Sequence, residues 1–143
     1  MQVASALLKN GIVFVQAYSE TTSGVWIGAG PVHISDINQT GELGKAVRDA
    51  LELSTRGVPH PSRDEWKGIQ QPMLDAVGAK NWSTLAKGAR AVGIECQNGL
   101  VTMTPSHDYQ NDGGTDLPER AIVVPMDASV MGENLSKAFD LCS

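Results

Sequence analysis

The sequence is poor in aromatic residues, in cysteine and in basic charge, and each shortage excludes something. Aromatics are 5% of the chain: three Trp, two Tyr and two Phe. The core must therefore be mostly aliphatic. The three tryptophans lie far apart with few Lys or Arg neighbours, unlike the interleaved aromatic and basic row that stacks single-stranded nucleic acid. Lys and Arg number 11 against 16 Asp and Glu, giving a net charge of −5. That balance argues against nucleic acid as a direct partner, because phosphate binding needs clustered cations. It argues equally against an anionic membrane surface, and it suits an encounter with a basic partner. The two cysteines, Cys96 and Cys142, are not spaced as metal ligands. Buried thiols of a cytosolic chain are the plainer reading than a disulfide. No apolar run approaches the roughly 20 residues that cross a bilayer. Met1–Asn10 lacks the basic region and long apolar stretch of a secretory signal. The expectation is a cytoplasmic protein without a membrane partner.

What is present reads as one ordinary domain spanning residues 1–143. Asn10-Gly11 is the preferred pair for a type I′ turn. Strands are therefore expected over 2–9 and 12–18, the second carrying Ile12-Val13-Phe14-Val15. Val25-Trp26-Ile27 reads as a short strand, Gly28-Ala29-Gly30-Pro31 as a break, and Val32-His33-Ile34 as a further strand. Thr40 is a candidate helix cap with Glu42 in the first turn. Leu43, Ala46, Val47, Ala50 and Leu51 then form one apolar stripe, predicting a helix over 40–54. Gly57, Pro59 and Pro61 prevent its continuation. A second helix is expected within 64–77, with Pro72 either in its first turn or interrupting it. A third follows Asn81 or Ser83, with Trp82 and Leu85 facing inward.

Ala91–Cys96 and Leu100–Thr104 flank a second turn at Asn98-Gly99 and predict another hairpin. Pro105–Pro118 reads as a polar loop and Ala121–Val124 as a strand. A final helix starts at Asp127 or Ser129 and buries Met131, Leu135, Ala138, Phe139 and Cys142. Strands, helices, strands and a helix in that order predict an α+β fold, mainly antiparallel sheet with helices packed on it.

Candidate reaction centres are weak. His33, His60 and His107 belong to no spaced His/Cys/carboxylate motif, so no metal site is expected. Gly28-Ala29-Gly30 lacks the third glycine and the following helix of a dinucleotide fingerprint. Gly44-Lys45 lacks the glycine spacing of a phosphate loop. Asp112-Gly113-Gly114 lacks the alternating ligands of a calcium loop. No cofactor is expected. The enzymatic alternative is a small hydrolase or transferase using Cys96 with a histidine, or a His/carboxylate pair. Core packing is the reading for Trp26 and Trp82. Trp66 follows Asp64-Glu65 and is a candidate exposed anchor. The segment 105–120 sets Asp108, Asp112, Asp116 and Glu119 against Arg120, with Tyr109 among them. Such a surface can fill a basic cleft by mimicking phosphate charge.

Several short motifs occur together in order: Thr21-Thr22-Ser23-Gly24-Val25-Trp26-Ile27, Pro31-Val32, Leu43-Gly44, the Ala46–Leu51 helix and Gly57-Val58-Pro59-His60-Pro61. Trp82-Ser83, the hairpin ending in Thr104-Pro105, and Leu117-Pro118-Glu119 follow. Together they resemble the immunity proteins of bacterial contact-dependent growth inhibition systems. The resemblance implies a cytoplasmic, non-catalytic protein that binds the C-terminal toxin domain of its cognate effector, one to one. Toxins of such systems are often nucleases, including enzymes that cleave transfer RNA. The matching residues look like scaffold, so the expected partner-binding residues are Trp66, Asp108, Tyr109, Asp112, Asp116 and Glu119.

Overall fold

The computed structural model describes residues 1–143 and builds its sheet on the two Asn-Gly turns. Asn10 and Gly11 have φ of 53° and 77°, and Asn98 and Gly99 have 54° and 77°. Positive φ at both central positions defines the type I′ turn, whose twist matches that of the flanking strands. The first turn joins β1 (Gln2–Lys9) to β2 (Ile12–Thr21), and the second joins β5 (Arg90–Gln97) to β6 (Leu100–His107). The two hairpins meet through antiparallel pairing of β1 with β5. A third long strand, β3 (Trp26–Asp36), borders β2. Short strands complete the sheet: β4 (Arg56–Val58) lies parallel to the end of β2, while β7 (Thr115–Asp116) and β8 (Ile122–Pro125) pair with different parts of β6. The fold is α+β with a mainly antiparallel eight-stranded sheet.

The alternation of β1 and β2 divides the molecule. Ala4 and Ala6 of β1, and Val13, Val15 and Ala17 of β2, face one side. There they meet α1 (Thr40–Leu53) and α5 (Ala128–Asp140), the two long helices. Leu43, Leu51, Met131, Leu135 and Phe139 from these helices are fully buried against the sheet. Each such side chain contributes about 1.5–3 kcal/mol of transfer free energy. Leu7 and Phe14 face the other side, against Met73, Leu74 and Leu85. These come from α3 (Gln71–Val77) and α4 (Trp82–Ala86), which follow the single turn α2 (Trp66–Ile69). Lys9 Nζ donates to the Thr84 and Leu85 carbonyls and so pins the end of α4 to β1.

Several boundaries differ from the sequence reading. The expected break at Gly28–Pro31 is not a break. Trp26–Asp36 is one strand with a bulge opposite Gln16–Tyr18, and Gly30 supplies positive φ at 84°. Thr40 does not cap α1: Gln39 precedes the helix without a side-chain bond. That helix stops at Ser54, whose hydroxyl donates to the Tyr18 carbonyl at 2.6 Å and accepts from Val3 N at 2.9 Å. The 64–77 region is two helices, with Pro72 in the first turn of α3, where a missing N–H costs nothing. Asn81 caps α4 by accepting from Thr84 N, and Asp127 caps α5 by accepting from Ser129 N.

Gly44 and Gly132 let α1 and α5 touch backbone to backbone. A Cβ on Gly44 would overlap the Ala128 carbonyl, and one on Gly132 would overlap the Thr40 carbonyl. Neither obstacle is a side-chain end that can swing away. Gly44→Ala or Gly132→Ala should therefore lower stability by about 1–3 kcal/mol through overpacking. A urea titration should show a lower midpoint at unchanged slope. An unchanged midpoint in both variants would mean the helices do not seat on one another in this way.

Candidate functional site

The second face of the sheet is only partly closed. Even-numbered positions of β2 point there: Phe14 packs under α3 and α4, but Gln16 and Tyr18 lie beyond them. Across that gap lies a cavity of about 180 Å³. Its floor is Ser5 and Leu7 of β1, Gln16 and Tyr18 of β2, and Trp26, Ile27 and Gly28 of β3. Its walls are Trp66 and Ile69 of α2, Gln70, Met73 of α3, Trp82 of α4 and Tyr109. All three tryptophans and both tyrosines of the chain line this one space. The expectation of core packing holds in part for Trp82, which lies against the smaller buried cluster, and is corrected for Trp26, which joins neither cluster. Both are half-buried at the cavity, because the short helices leave no second layer to cover them.

Local chemistry fixes the walls. Ser62 and Glu65 form a reciprocal pair ahead of α2. Ser62 N donates to Glu65 Oε1 at 2.9 Å, and Glu65 N donates to Ser62 Oγ at 3.3 Å. Hydrogen bonds that the Glu65 carboxylate accepts from Ser62, first from its backbone N–H and then from its side chain, hold it below the usual range. Trp66 follows directly and stacks edge-on with His60, with ring centroids 5.5 Å apart. His60 Nδ1 lies 2.7 Å from Ser23 Oγ, which lies 2.9 Å from Thr21 Oγ1. The two loops carrying Thr21-Thr22-Ser23-Gly24 and Pro59-His60-Pro61 thus meet behind Trp66. Opposite, Trp82 and Tyr109 tilt against each other at 6.4 Å. Gln16 Nε2 donates to the Gly30 carbonyl at 3.0 Å, while Oε1 lies beside Gly28.

The expected polar loop is shorter than Pro105–Pro118. Pro105–His107 complete β6, and Thr115–Asp116 pair back onto Ser106 and His107. Residues 108–114 make the turn between them. Asp108 N donates to the Ser143 carbonyl at 2.7 Å, and Asn111 Nδ2 donates to Asp108 Oδ2 at 2.7 Å. Of the six expected partner-binding residues, Trp66 and Tyr109 come together at the cavity. Asp108, Asp112, Asp116 and Glu119 do not line it. Asp108 is half-buried and the other three are exposed. None of the four forms an ion pair: Arg120 Nη1 donates instead to the Leu141 carbonyl at 2.9 Å, and the two ion pairs of the chain lie elsewhere. Their charge is therefore uncompensated within the chain.

The enzymatic constellations do not assemble. Cys96 sits among aliphatic side chains on the α1/α5 face. The buried Cys142 thiol lies against the Ala91 and Ala138 carbonyls. No histidine pairs with a carboxylate, His107 instead meeting Ser143 Oγ at 2.8 Å.

The two phenols are the distinctive polar groups of the cavity. Burial pushes the Tyr18 hydroxyl above its ordinary pKa, and burial together with the nearby Tyr18 pushes Tyr109 further up. A raised phenol pKa stabilises the fold fully below the unfolded value of 10.0, and that contribution is lost as pH climbs through the folded values. Both tyrosines should be less ionised in the folded chain than in the denatured chain at pH near 10. The tyrosinate absorbance of folded against denatured protein checks this. Equal ionisation in both states would show that the hydroxyls are in water.

The family model described as CDI immunity protein matches residues 59–142, more than half of the chain. The match opens at Pro59-His60-Pro61 and spans α2 to α5, whereas the 21–36 motifs lie outside it. A protein of unknown function from Neisseria meningitidis is similar in structure, with TM-score 0.81 at 18% identity, covering 99% of this chain and 95% of that one. A chain of the CdiA-CT/CdiI toxin and immunity complex from Yersinia pseudotuberculosis is similar with TM-score 0.79 at 20% identity, covering 99% and 97%. At these identities the likeness is one of fold. No curated protein matches the chain.

Proposed function

The chain belongs to the CDI immunity protein family, and from that premise we propose that it binds and neutralises the toxin domain of a contact-dependent growth inhibition effector. The whole chain works as one immunity domain in the cytoplasm, in a one-to-one complex. It acts by binding, not by catalysis. A chain of the same fold belongs to a toxin and immunity complex in Yersinia pseudotuberculosis, which supports a partner of the same kind here.

The observation that carries the choice of surface is the pairing of an open aromatic cavity with uncompensated carboxylates. Trp66 is 40% exposed, and Tyr109 joins the cavity to the turn that bears Asp108 and Asp112. Aromatic anchors in a partly dry pocket are the usual sources of interface energy. Carboxylates without an internal ion pair set the encounter rate with a basic surface. The partner is read as a nuclease, possibly one acting on transfer RNA, whose phosphate-binding cleft is basic. Asp108, Asp112, Asp116 and Glu119 occlude that cleft in place of phosphate.

Co-expression with the C-terminal toxin domain of a cognate effector tests the reading. The pair should co-purify at equal stoichiometry and restore growth. A toxin that still kills and does not co-purify would refute it. Within the complex, Asp108→Asn, Asp112→Asn and Asp116→Asn together should slow association at low salt while leaving the urea midpoint intact. The effect should fade as salt screens the charges. Association rates that ignore both the substitutions and salt would move the interface elsewhere.

A further inference from the structure

The cavity has a composition that selects among occupants. Five aromatic rings surround it, and no lysine or arginine lines it. The ring faces carry partial negative charge. Among them sit acceptors without a partner in the chain: the phenol oxygens of Tyr18 and Tyr109, which no hydrogen bond stabilises, and Gln16 Oε1. The chain as a whole carries −5, and the carboxylate of Asp108, which forms no ion pair, adjoins Tyr109.

Three kinds of side chain could enter. A purely apolar one would leave the phenols and the Gln16 carbonyl desolvated and unpaired, which is costly. A carboxylate could accept from the two phenol O–H groups, but it would meet negative ring faces with no lysine or arginine to balance it, in a chain that already carries −5. A guanidinium satisfies both features, since its flat faces stack on Trp and Tyr and its edge donates five N–H bonds. Its methylene stem would lie along Leu7, Ile69 and Met73. We propose that this cavity is a receptor for a guanidinium, occupied in the complex by one arginine side chain of the partner. The identity of that partner as a toxin domain rests on the immunity reading, whereas the receptor itself does not. The acidic turn then draws a basic surface in, and the cavity holds one residue of it.

The test uses the full chain and its own fluorescence, because every tryptophan lines the cavity. N-butylguanidinium is titrated in, at concentrations well below those that shift the urea midpoint, with N-butylurea as neutral isostere and butyrate as anion. The expected result is a saturable emission change with the cation and none with the other two over the same range. Tyr109→Phe, which keeps the ring and removes the oxygen, should weaken binding about threefold to tenfold. Trp66→Leu, at an exposed position, should weaken it about threefold to thirtyfold. An equal response to the urea would make the cavity a plain apolar slot and overturn the proposal. So would preference for butyrate, or no saturable response to the cation. The two readings fail separately. Cation binding without a toxin complex leaves the receptor standing and removes the immunity reading. A toxin complex without cation binding does the reverse.

Discussion

The constraint on which the rest depends is the two-sidedness of the central strands. A strand sends alternate side chains to opposite faces, so β1 and β2 must each satisfy two environments at once. Ala4, Ala6, Val13, Val15 and Ala17 form a smooth aliphatic surface on one side. Two long helices of matching stripe cover it completely. Ser5, Leu7, Phe14, Gln16 and Tyr18 fall on the other side. That set grows more polar toward the end of the hairpin distant from its turn. The helices over it are short, and they close only the apolar part.

The two faces consequently have different jobs. On the aliphatic side the close approach of α1 and α5 at Gly44 and Gly132 leaves no room for adjustment. On the other side the packing is discontinuous, and the scarce aromatics are spent at its edge. Only the two Phe of the chain lie in closed clusters, Phe139 in the larger and Phe14 in the smaller. The Trp and Tyr side chains, which combine large apolar area with a polar handle, ring the opening. Such residues suit a boundary that is wet in one state and dry in another. The family motifs also find a physical reason here. Ser23 and His60 meet to brace Trp66, so the scaffold motifs hold the wall of the site.

Much of the fold was legible because its signals are local. Both Asn-Gly turns and the α1 stripe follow from residues adjacent or one helical turn apart, and the structure selects Asn81 over Ser83 and Asp127 over Ser129 as caps. The β3 bulge reads in the sequence as a break because glycines that permit a bulge also permit a loop. Strand β4 leaves no local signal, because its pairing to Glu20 and Thr21 is set by the close of α1 through Ser54, a contact distant in sequence. The cavity was invisible for the same reason. Trp26, Trp66, Trp82 and Tyr109 lie on four separate segments, and only the sheet brings them together. One trace was present: Gln16 and Tyr18 continue the alternation of β2 into polar residues at inward positions, and that signals an inner face that is not simply core.

The second sheet face, and not the long-helix face, is the surface proposed to meet a partner. Amide hydrogen exchange of the chain alone and with its toxin domain tests this most directly. The predicted result is new protection over Trp66–Trp82 and the 108–116 turn, with α1 and α5 unchanged. Protection confined to α1 and α5, with the aromatic rim exchanging as in the free chain, would contradict it.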